Sequence, residues 1–386
     1  MFKRELEKEI KEIVKGYPIL TVIGPRQSGK TTTVKYLFPE KKYVNLEFPD
    51  VRALALNDPR AFLEQFPDGA ILDEIQRVPE LLSYIQPIVD EKDIKGMFIL
   101  TGSHQLELQQ AISQSLSGRT ALLTLLPLSL KEIENSKIDI SLNEWILKGG
   151  YPRIYKENLD PFKAYRNYFQ TYVERDVRQL IKVKDLMQFE RFIQILAGRI
   201  GQILNMEEIG GEVGISSNTV KEWISILEAS FIIFRLQPYF ENFGKRVIKS
   251  PKLYFNDVGL LCYLLGIQTS TQLDRDPLRG HIFENAIILE LKKHQYNLGL
   301  DPSFYYYRDI QKNEVDVIYK LGNDLIPIEI KSAKTFNSEF IDKLIYFKAI
   351  VKKRADKAFL IYAGDMEQKF LDCQILNYKN LFRIFE

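Results

Sequence analysis

Two cysteines in 386 residues are too few for a disulfide framework. Cys262 and Cys373 lie far apart in apolar or mixed segments, so they read as buried thiols of a reducing compartment and not as a metal site. Long hydrophobic runs are missing too: none approaches the roughly 20 residues of a membrane span. The start, Met1-Phe2-Lys3-Arg4-Glu5-Leu6-Glu7-Lys8-Glu9, reads as a charged amphipathic helix and lacks the pattern of a signal peptide. A cytoplasmic protein without membrane contact is expected. Charge of one sign is scarce as well. Lys and Arg number 53 against 51 Asp and Glu, a net +2, so no global basic field announces nucleic acid and any such surface must be local. Hydrophobic residues at 45% and charged residues at 27% are ordinary for a soluble globular chain of two or three domains.

One stretch organises what is present. Gly24-Pro25-Arg26-Gln27-Ser28-Gly29-Lys30-Thr31 matches G-x-x-x-x-G-K-[ST] at every fixed position, and Thr32 follows it. It comes straight after the apolar run Ile19–Ile23 and before a helix-compatible segment. In that order the loop's backbone N–H groups can face phosphate oxygens at a helix N-terminus. Lys30 would reach the β- and γ-phosphates, and the Thr31 hydroxyl would bind Mg²⁺. The chain is therefore expected to bind a nucleotide.

Residues 2–15 space Leu6, Ile10 and Ile13-Val14 as a helix that packs on the nucleotide domain. Thr31–Phe38 continues the phosphate loop as a helix, and Lys42–Leu46 reads as a short strand. Gly69-Ala70-Ile71-Leu72-Asp73-Glu74-Ile75 is an apolar strand ending in two carboxylates. Asp73 is assigned to the water shell of Mg²⁺, and Glu74 to orienting or deprotonating the attacking water. A further strand, Met97–Ser103, ends in small polar residues, where a hydroxyl could touch the γ-phosphate or the water. Arg119 closes the helix-like run Leu106–Leu116 and precedes the strand Ala121–Leu126. As a residue alone it is equally a C-terminal helix cation meeting the dipole.

This order of phosphate loop, Leu-Asp-Glu strand, Thr-Gly-Ser strand and Ser-Gly-Arg resembles the AAA-type ATPases of the archaeal and bacterial "ATP-binding protein" group. The resemblance implies that Ser103 (or Thr101) is the sensor and Arg119 a finger completing a neighbour's site. Such a finger requires a homo-oligomer, either a ring, for which a hexamer is one candidate, or another head-to-tail assembly.

Between 141 and 200 the chain is helix-rich. Gly149-Gly150-Tyr151-Pro152-Arg153 and Thr171-Tyr172-Val173-Glu174-Arg175-Asp176-Val177 are also wording of that group. Arg153, Arg175 or Arg178 could reach nucleotide from a lid, although a solvated helix face is the simpler reading. Residues 205–235 read as helix–turn–helix plus strand, a winged-helix module. Its second helix sets Lys221 against Glu222 and Glu228, which favours a packing or partner surface, while Lys245-Arg246-Val247-Ile248-Lys249 argues for DNA.

The last third carries a second constellation. His281–Leu291 reads as an amphipathic helix with Glu284 near its start. Glu314–Tyr319 and Leu325–Lys331 read as a hairpin across Gly322-Asn323-Asp324. Period-2 alternation puts Glu329 and Lys331 on one face, where Asp316 can meet them. Two carboxylates and a lysine could bind a hard divalent cation, or Lys331 could simply form ion pairs with its carboxylates. The pattern resembles the PD-(D/E)xK nuclease superfamily. That resemblance implies metal carboxylates Asp316 and Glu329, the lysine Lys331, the helix glutamate Glu284, and Mg²⁺ or Mn²⁺ as the metal.

The expected architecture is α/β in four parts. These are an AAA-type P-loop ATPase core (1–135), a helical lid (136–200), a winged-helix module (201–250) and a restriction-endonuclease-like α/β domain (251–386). The expected function is a Mg²⁺-dependent ATPase that drives or gates a metal-dependent DNA nuclease or DNA-binding activity. The alternative is an ATP-dependent switch or scaffold whose nuclease-like domain is inactive and binds nucleic acid or protein.

Overall fold

The computed structural model describes residues 1–103, 112, 114–177, 186–241 and 249–386. Most of the helix-like run Leu106–Leu116 (106–111 and 113), together with Arg178 and the stretch Lys245–Ile248, falls outside these, as does the side chain of Arg175.

Strand β1 (Ile19–Ile23) is buried at all five positions. A strand apolar on both faces needs cover on both sides, which a parallel sheet with crossover helices supplies. Helix α1 (Glu7–Ile13) precedes it, with Leu6 and Ile10 buried beneath the sheet as their spacing predicts. Then come α2 (Lys30–Leu37), β2 (Lys42–Asn45), α3 (Pro49–Asn57), α4 (Pro59–Glu64), β3 (Ala70–Asp73), α5 (Leu81–Lys92), β4 (Phe98–Gly102) and β5 (Thr120–Thr124). The sheet order is β2-β3-β4-β1-β5, parallel throughout. The C-terminal tips of β1, β4 and β3 therefore stand side by side, the place where open α/β sheets hold ligands.

A helical region follows. It comprises α6 (Leu130–Asn135), α7 (Leu142–Lys148), α8 (Pro152–Lys156), α9 (Pro161–Tyr168), a π-helical stretch (Phe169–Val177) and α10 (Leu186–Gly198). Helices α11 (Met206–Val213) and α12 (Ser217–Ala229) form the expected helix–turn–helix. Gly214 turns the chain at φ 82°, and Ser216 caps α12 by accepting from the Thr219 N–H at 3.1 Å. Trp223 of α12 packs edge-on against Phe189 and Phe192 of α10, so this helix's apolar face is already covered. Strands β6 (Ile233–Leu236) and β7 (Lys252–Phe255) pair antiparallel behind it.

After α13 (Val258–Leu264) and α14 (Ser270–Arg275) comes α15 (Arg279–Asn297). The expected amphipathic helix is here buried on nearly every side, because it lies between the two larger sheets. The second sheet has the order β12-β13-β11-β10-β9-β8. Its antiparallel part is β8 (Phe304–Arg308), β9 (Glu314–Leu321) and β10 (Asp324–Lys331), the last two joined across Gly322-Asn323. Helix α16 (Asp342–Val351) leads to β11 (Phe359–Tyr362), β12 (Gln368–Phe370) and β13 (Cys373–Asn377), with β10, β11 and β13 parallel. Leu344, Phe347 and Val351 of α16 close one face, and α15 packs against the other.

Candidate functional site

The loop after β1 has the geometry its sequence requires. Gly24 has φ 153°, and a Cβ there would stand 2.1 Å from the Leu125 carbonyl oxygen. Only glycine passes that strand so closely. Gly29, at φ 98°, opens α2. The Lys30 ammonium is curled into the loop, donating to the carbonyls of Gly24 and Pro25 at 2.9 and 2.8 Å. Burial drives its pKa down, against Glu74 and Asp73. The Ser28 hydroxyl is buried and has no hydrogen-bond partner among the described residues.

Asp73 ends β3 and collects three hydroxyls. Thr31 donates to it at 2.9 and 3.1 Å, Tyr43 of β2 at 2.7 Å, and Thr101 of β4 makes a further short bond. Glu74 lies beyond the strand, at φ 57° and ψ 47°, a left-handed conformation uncommon for a non-glycine residue. That turn aims its carboxylate at β4, where Oε2 accepts from the Ser103 hydroxyl at 2.8 Å and from the Gln76 amide. Burial favours its protonated form, but Lys30, Gln76 and Ser103 outweigh this and hold its pKa below the ordinary value. Lys30, Thr31, Asp73, Glu74 and Ser103 thus come together as their motifs predict. Thr101, offered beside Ser103 as the sensor, meets Asp73; Tyr43 and Gln76 were missed, and the only signal was their place on or beside neighbouring strands.

A cavity of about 530 Å³ opens onto this loop. Arg26, Gln27, Gly29, Lys30, Thr31, Thr32 and Glu74 line one side, and Phe2, Pro152, Arg153 and Lys156 the other. Of the three arginines considered for the nucleotide, Arg153 reaches its edge. The Gly149-Gly150 turn that places it is anchored by Asp257, which accepts from the Gly150 N–H at 2.8 Å. Arg4, in the stretch read as a charged amphipathic helix, is buried at 4% exposure. Its guanidinium donates to the carbonyls of Ser28 (2.7 Å) and Leu126 (2.6 Å) and to Glu132 (3.0 Å), so it braces the loop from behind. Arg119 sits elsewhere. It precedes β5, whose first residue pairs with Ile19 at the start of β1, and it grips Asp90 at 2.6 and 2.8 Å. Five strand residues, about 16 Å, separate that end from the phosphate loop.

The donor set fits a magnesium nucleotide. A threonine hydroxyl and a carboxylate share one point beside a lysine, and the same loop carries the Ser28 hydroxyl, which has no partner among the described residues.

The second constellation also converges, with a different internal order. In the β9–β10 register Ile328 faces Val317, so the next pair places Glu329 opposite Asp316. Lys331 lies 2.5 Å from Glu329 Oε1 and 3.8 Å from Asp316 Oδ2. The Ile330 N–H donates to Asp316 at 2.8 Å. Glu284 of α15 binds the Tyr254 hydroxyl and lies 3.4 Å from Lys252 and 3.5 Å from His281. Burial and neighbouring carboxylates push Asp316 up to about 6 and Glu329 up to about 8, against the pull of Lys331. Among the described residues no three His, Cys, Asp or Glu side chains form a group that could hold a metal ion. Here the four residues do not fit a metal as they stand, because lysines occupy the space between their carboxylates. Lys252, two positions into the last unit of the sequence division, was missed altogether.

Three family descriptions match the chain: "AAA domain" at residues 16–134, "Domain of unknown function (DUF8612)" at 139–271, and "Domain of unknown function (DUF4143)" at 279–381. Uncharacterized proteins of Mycobacterium tuberculosis and Mycobacterium bovis are each 30% identical to it over 338 residues, covering 86% of this chain and 74% of theirs. An uncharacterized protein of Haemophilus influenzae is 23% identical over 299 residues, covering 73% and 70%. Among solved structures, a Walker-type ATPase of Pyrococcus abyssi aligns at 14% identity with a TM-score of 0.47, covering 69% of this chain and 96% of that one. No helix among the described residues is long and apolar enough to cross a membrane. The chain belongs to one family with the mycobacterial proteins, and its residues 16–134 are an AAA domain with a P-loop.

Proposed function

We propose that the protein is a Mg²⁺-dependent ATPase working as a nucleotide switch, with a C-terminal nuclease-like domain that is not assembled for metal-dependent cleavage. The observation that carries the ATPase is the Thr31–Asp73 pair beside a Glu74 carboxylate aimed by Ser103 and Gln76. ATP enters the loop cavity with its phosphates along the N-terminus of α2. Lys30 leaves the Gly24 and Pro25 carbonyls for the β- and γ-phosphates. Thr31 and Asp73 would hold Mg²⁺, which supplies positive charge to the phosphates. Glu74, ionised at neutral pH, orients the attacking water and takes its proton, and Ser103 keeps Glu74 in place. Arg119 cannot reach its own loop and acts on a neighbour's in a head-to-tail ring. Asp90 holds it until that ring forms.

The helical region serves as the lid, carrying Arg153 to the cavity, and the helix–turn–helix with its β6–β7 pair is a winged helix used for packing. Its inner face is filled by Trp223, and its outer face offers Lys221 beside Glu222. The C-terminal sheet is read as a nuclease-like unit on the convergence of Asp316, Glu329 and Lys331, and Lys331 forms ion pairs with those carboxylates. The switch reading is therefore preferred. Cleavage of DNA keeps one observation on its side: Glu329 Oε2 is buried and has no hydrogen-bond partner among the described residues. Mg²⁺-dependent ATP turnover, compared between the wild type and Glu74→Gln, tests the first part. Mg²⁺- or Mn²⁺-dependent cleavage of single- and double-stranded DNA, lost in Asp316→Ala and Lys331→Ala, would replace the switch by an ATP-gated nuclease.

A further inference from the structure

The carboxylates of the C-terminal cluster are carried by α15, β9 and β10, within residues 279–381. Lys252 comes from outside, on the strand that pairs with the helix–turn–helix unit, in register with Leu236. Its ammonium lies 2.5 Å from Glu314 and 3.4 Å from Glu284, and 5.4 Å from the centre of the Tyr306 ring. The side chain is 3% exposed. An ammonium buried so deeply is stable only when paired. Burial pulls its pKa down, and Glu284, Glu314 and Asp316 together more than reverse this. In return Glu284 is held down at about 2: burial opposes ionisation there, and Lys252 is the largest influence favouring it.

A hard divalent cation needs six or more oxygen ligands at short range. Glu284 and Glu314 are already paired with Lys252, and Asp316 acts on it electrostatically, so as the cluster stands no group of acids among the described residues is left to hold such an ion. We propose that Lys252 takes the place of a divalent cation in this cluster, so that the native protein excludes the metal and loss of the ammonium opens a site for it. The inference goes beyond the switch reading: it names what keeps the cluster closed, and it does not depend on ATP hydrolysis.

The test is Mn²⁺ binding to the full-length, nucleotide-free protein, followed by electron paramagnetic resonance and calorimetry. Wild type should bind no more Mn²⁺ than Asp316→Asn. Lys252→Met, which preserves length and burial, and Lys252→Gln should each gain one Mn²⁺ per chain. The gain should be roughly tenfold or more in affinity, the size of effect that neighbouring groups have on metal sites. It should vanish when Asp316→Asn is added, and Lys252→Arg should still exclude the ion. Circular dichroism and nucleotide binding check that each variant is folded. A folded Lys252→Met or Lys252→Gln that takes up no Mn²⁺ overturns the inference and leaves the switch reading standing. Mn²⁺ bound by wild type and lost in Asp316→Asn overturns it without reference to any Lys252 variant, and favours the nuclease instead.

Discussion

The Thr31 hydroxyl donates to both oxygens of Asp73, at 2.9 and 3.1 Å, and the Tyr43 hydroxyl meets the same carboxylate at 2.7 Å. Two strands and the helix behind the phosphate loop are thereby tied to one acid. Tyr43→Phe removes one of these bonds to a charged group, so about 1.5–3 kcal/mol of stability should be lost. Mg·ATP should bind several-fold more weakly with turnover of the bound nucleotide retained, as thermal unfolding and a fluorescent-nucleotide titration would show.

Ser103 is placed to act through Glu74. Ser103→Ala should lower turnover about tenfold, less than the roughly 10²–10⁴-fold that an acid–base group itself contributes, because Ser103 acts only through Glu74. Nucleotide affinity should stay within about threefold of wild type, well short of the roughly 1.4 kcal/mol that a tenfold change would represent. Steady-state kinetics beside equilibrium binding separates the two quantities, and a loss of binding equal to the loss of turnover would show a purely structural role.

Much of this first site was legible because a phosphate loop is a fixed string of residues with fixed backbone demands, and Asp73 and Glu74 follow on a recognisably apolar strand. The left-handed turn at Glu74 was not legible: strand propensity carries the reading through Ile75, while the chain leaves the sheet at Asp73. The place of Arg4 behind the loop was not legible, because its three carbonyl and carboxylate partners come from distant segments. In the C-terminal unit the convergence of Asp316, Glu329 and Lys331 followed from strand alternation. Lys252 gave no local sign, since its carboxylate partners lie at least 32 residues away.

Gly24 should tolerate no side chain. A Cβ there meets the Leu125 carbonyl at 2.1 Å, and φ 153° is strained for any other residue. Gly24→Ala should cost on the order of 1–3 kcal/mol and abolish nucleotide binding. Denaturant unfolding with a nucleotide titration checks both.

Arg119 and Asp90 form an exposed pair, so Arg119→Ala should leave stability nearly unchanged. Nucleotide binding should persist while turnover in the assembled protein falls by roughly 10³-fold or more, the contribution of an arginine supplied by a neighbour. Mixing Arg119→Ala with Lys30→Ala should restore part of the activity if each chain lends its finger to the next. Full turnover in Arg119→Ala alone would place the finger elsewhere.

Stability should also depend on pH through Glu329 and Asp316. Their carboxyl pKa values are raised in the folded protein, to about 8 and about 6. The folded state then holds protons more tightly than the unfolded chain. The contribution to stability is present in acid and is lost as pH rises from the ordinary carboxylate range through about 8. Glu329→Gln removes the larger part of it. The variant should be more stable than wild type at pH 8, by on the order of 1 kcal/mol, and should lose that advantage at pH 5. Urea unfolding at the two pH values gives the comparison.

The central claim is that the AAA domain turns over ATP with Glu74 directing the water. Its most direct measurement is phosphate release under Mg²⁺, together with nucleotide binding, for wild type and Glu74→Gln. The account predicts that both proteins bind ATP within a few-fold of each other and that the variant's turnover falls by about 10²-fold or more. Turnover by Glu74→Gln at the wild-type rate would contradict it.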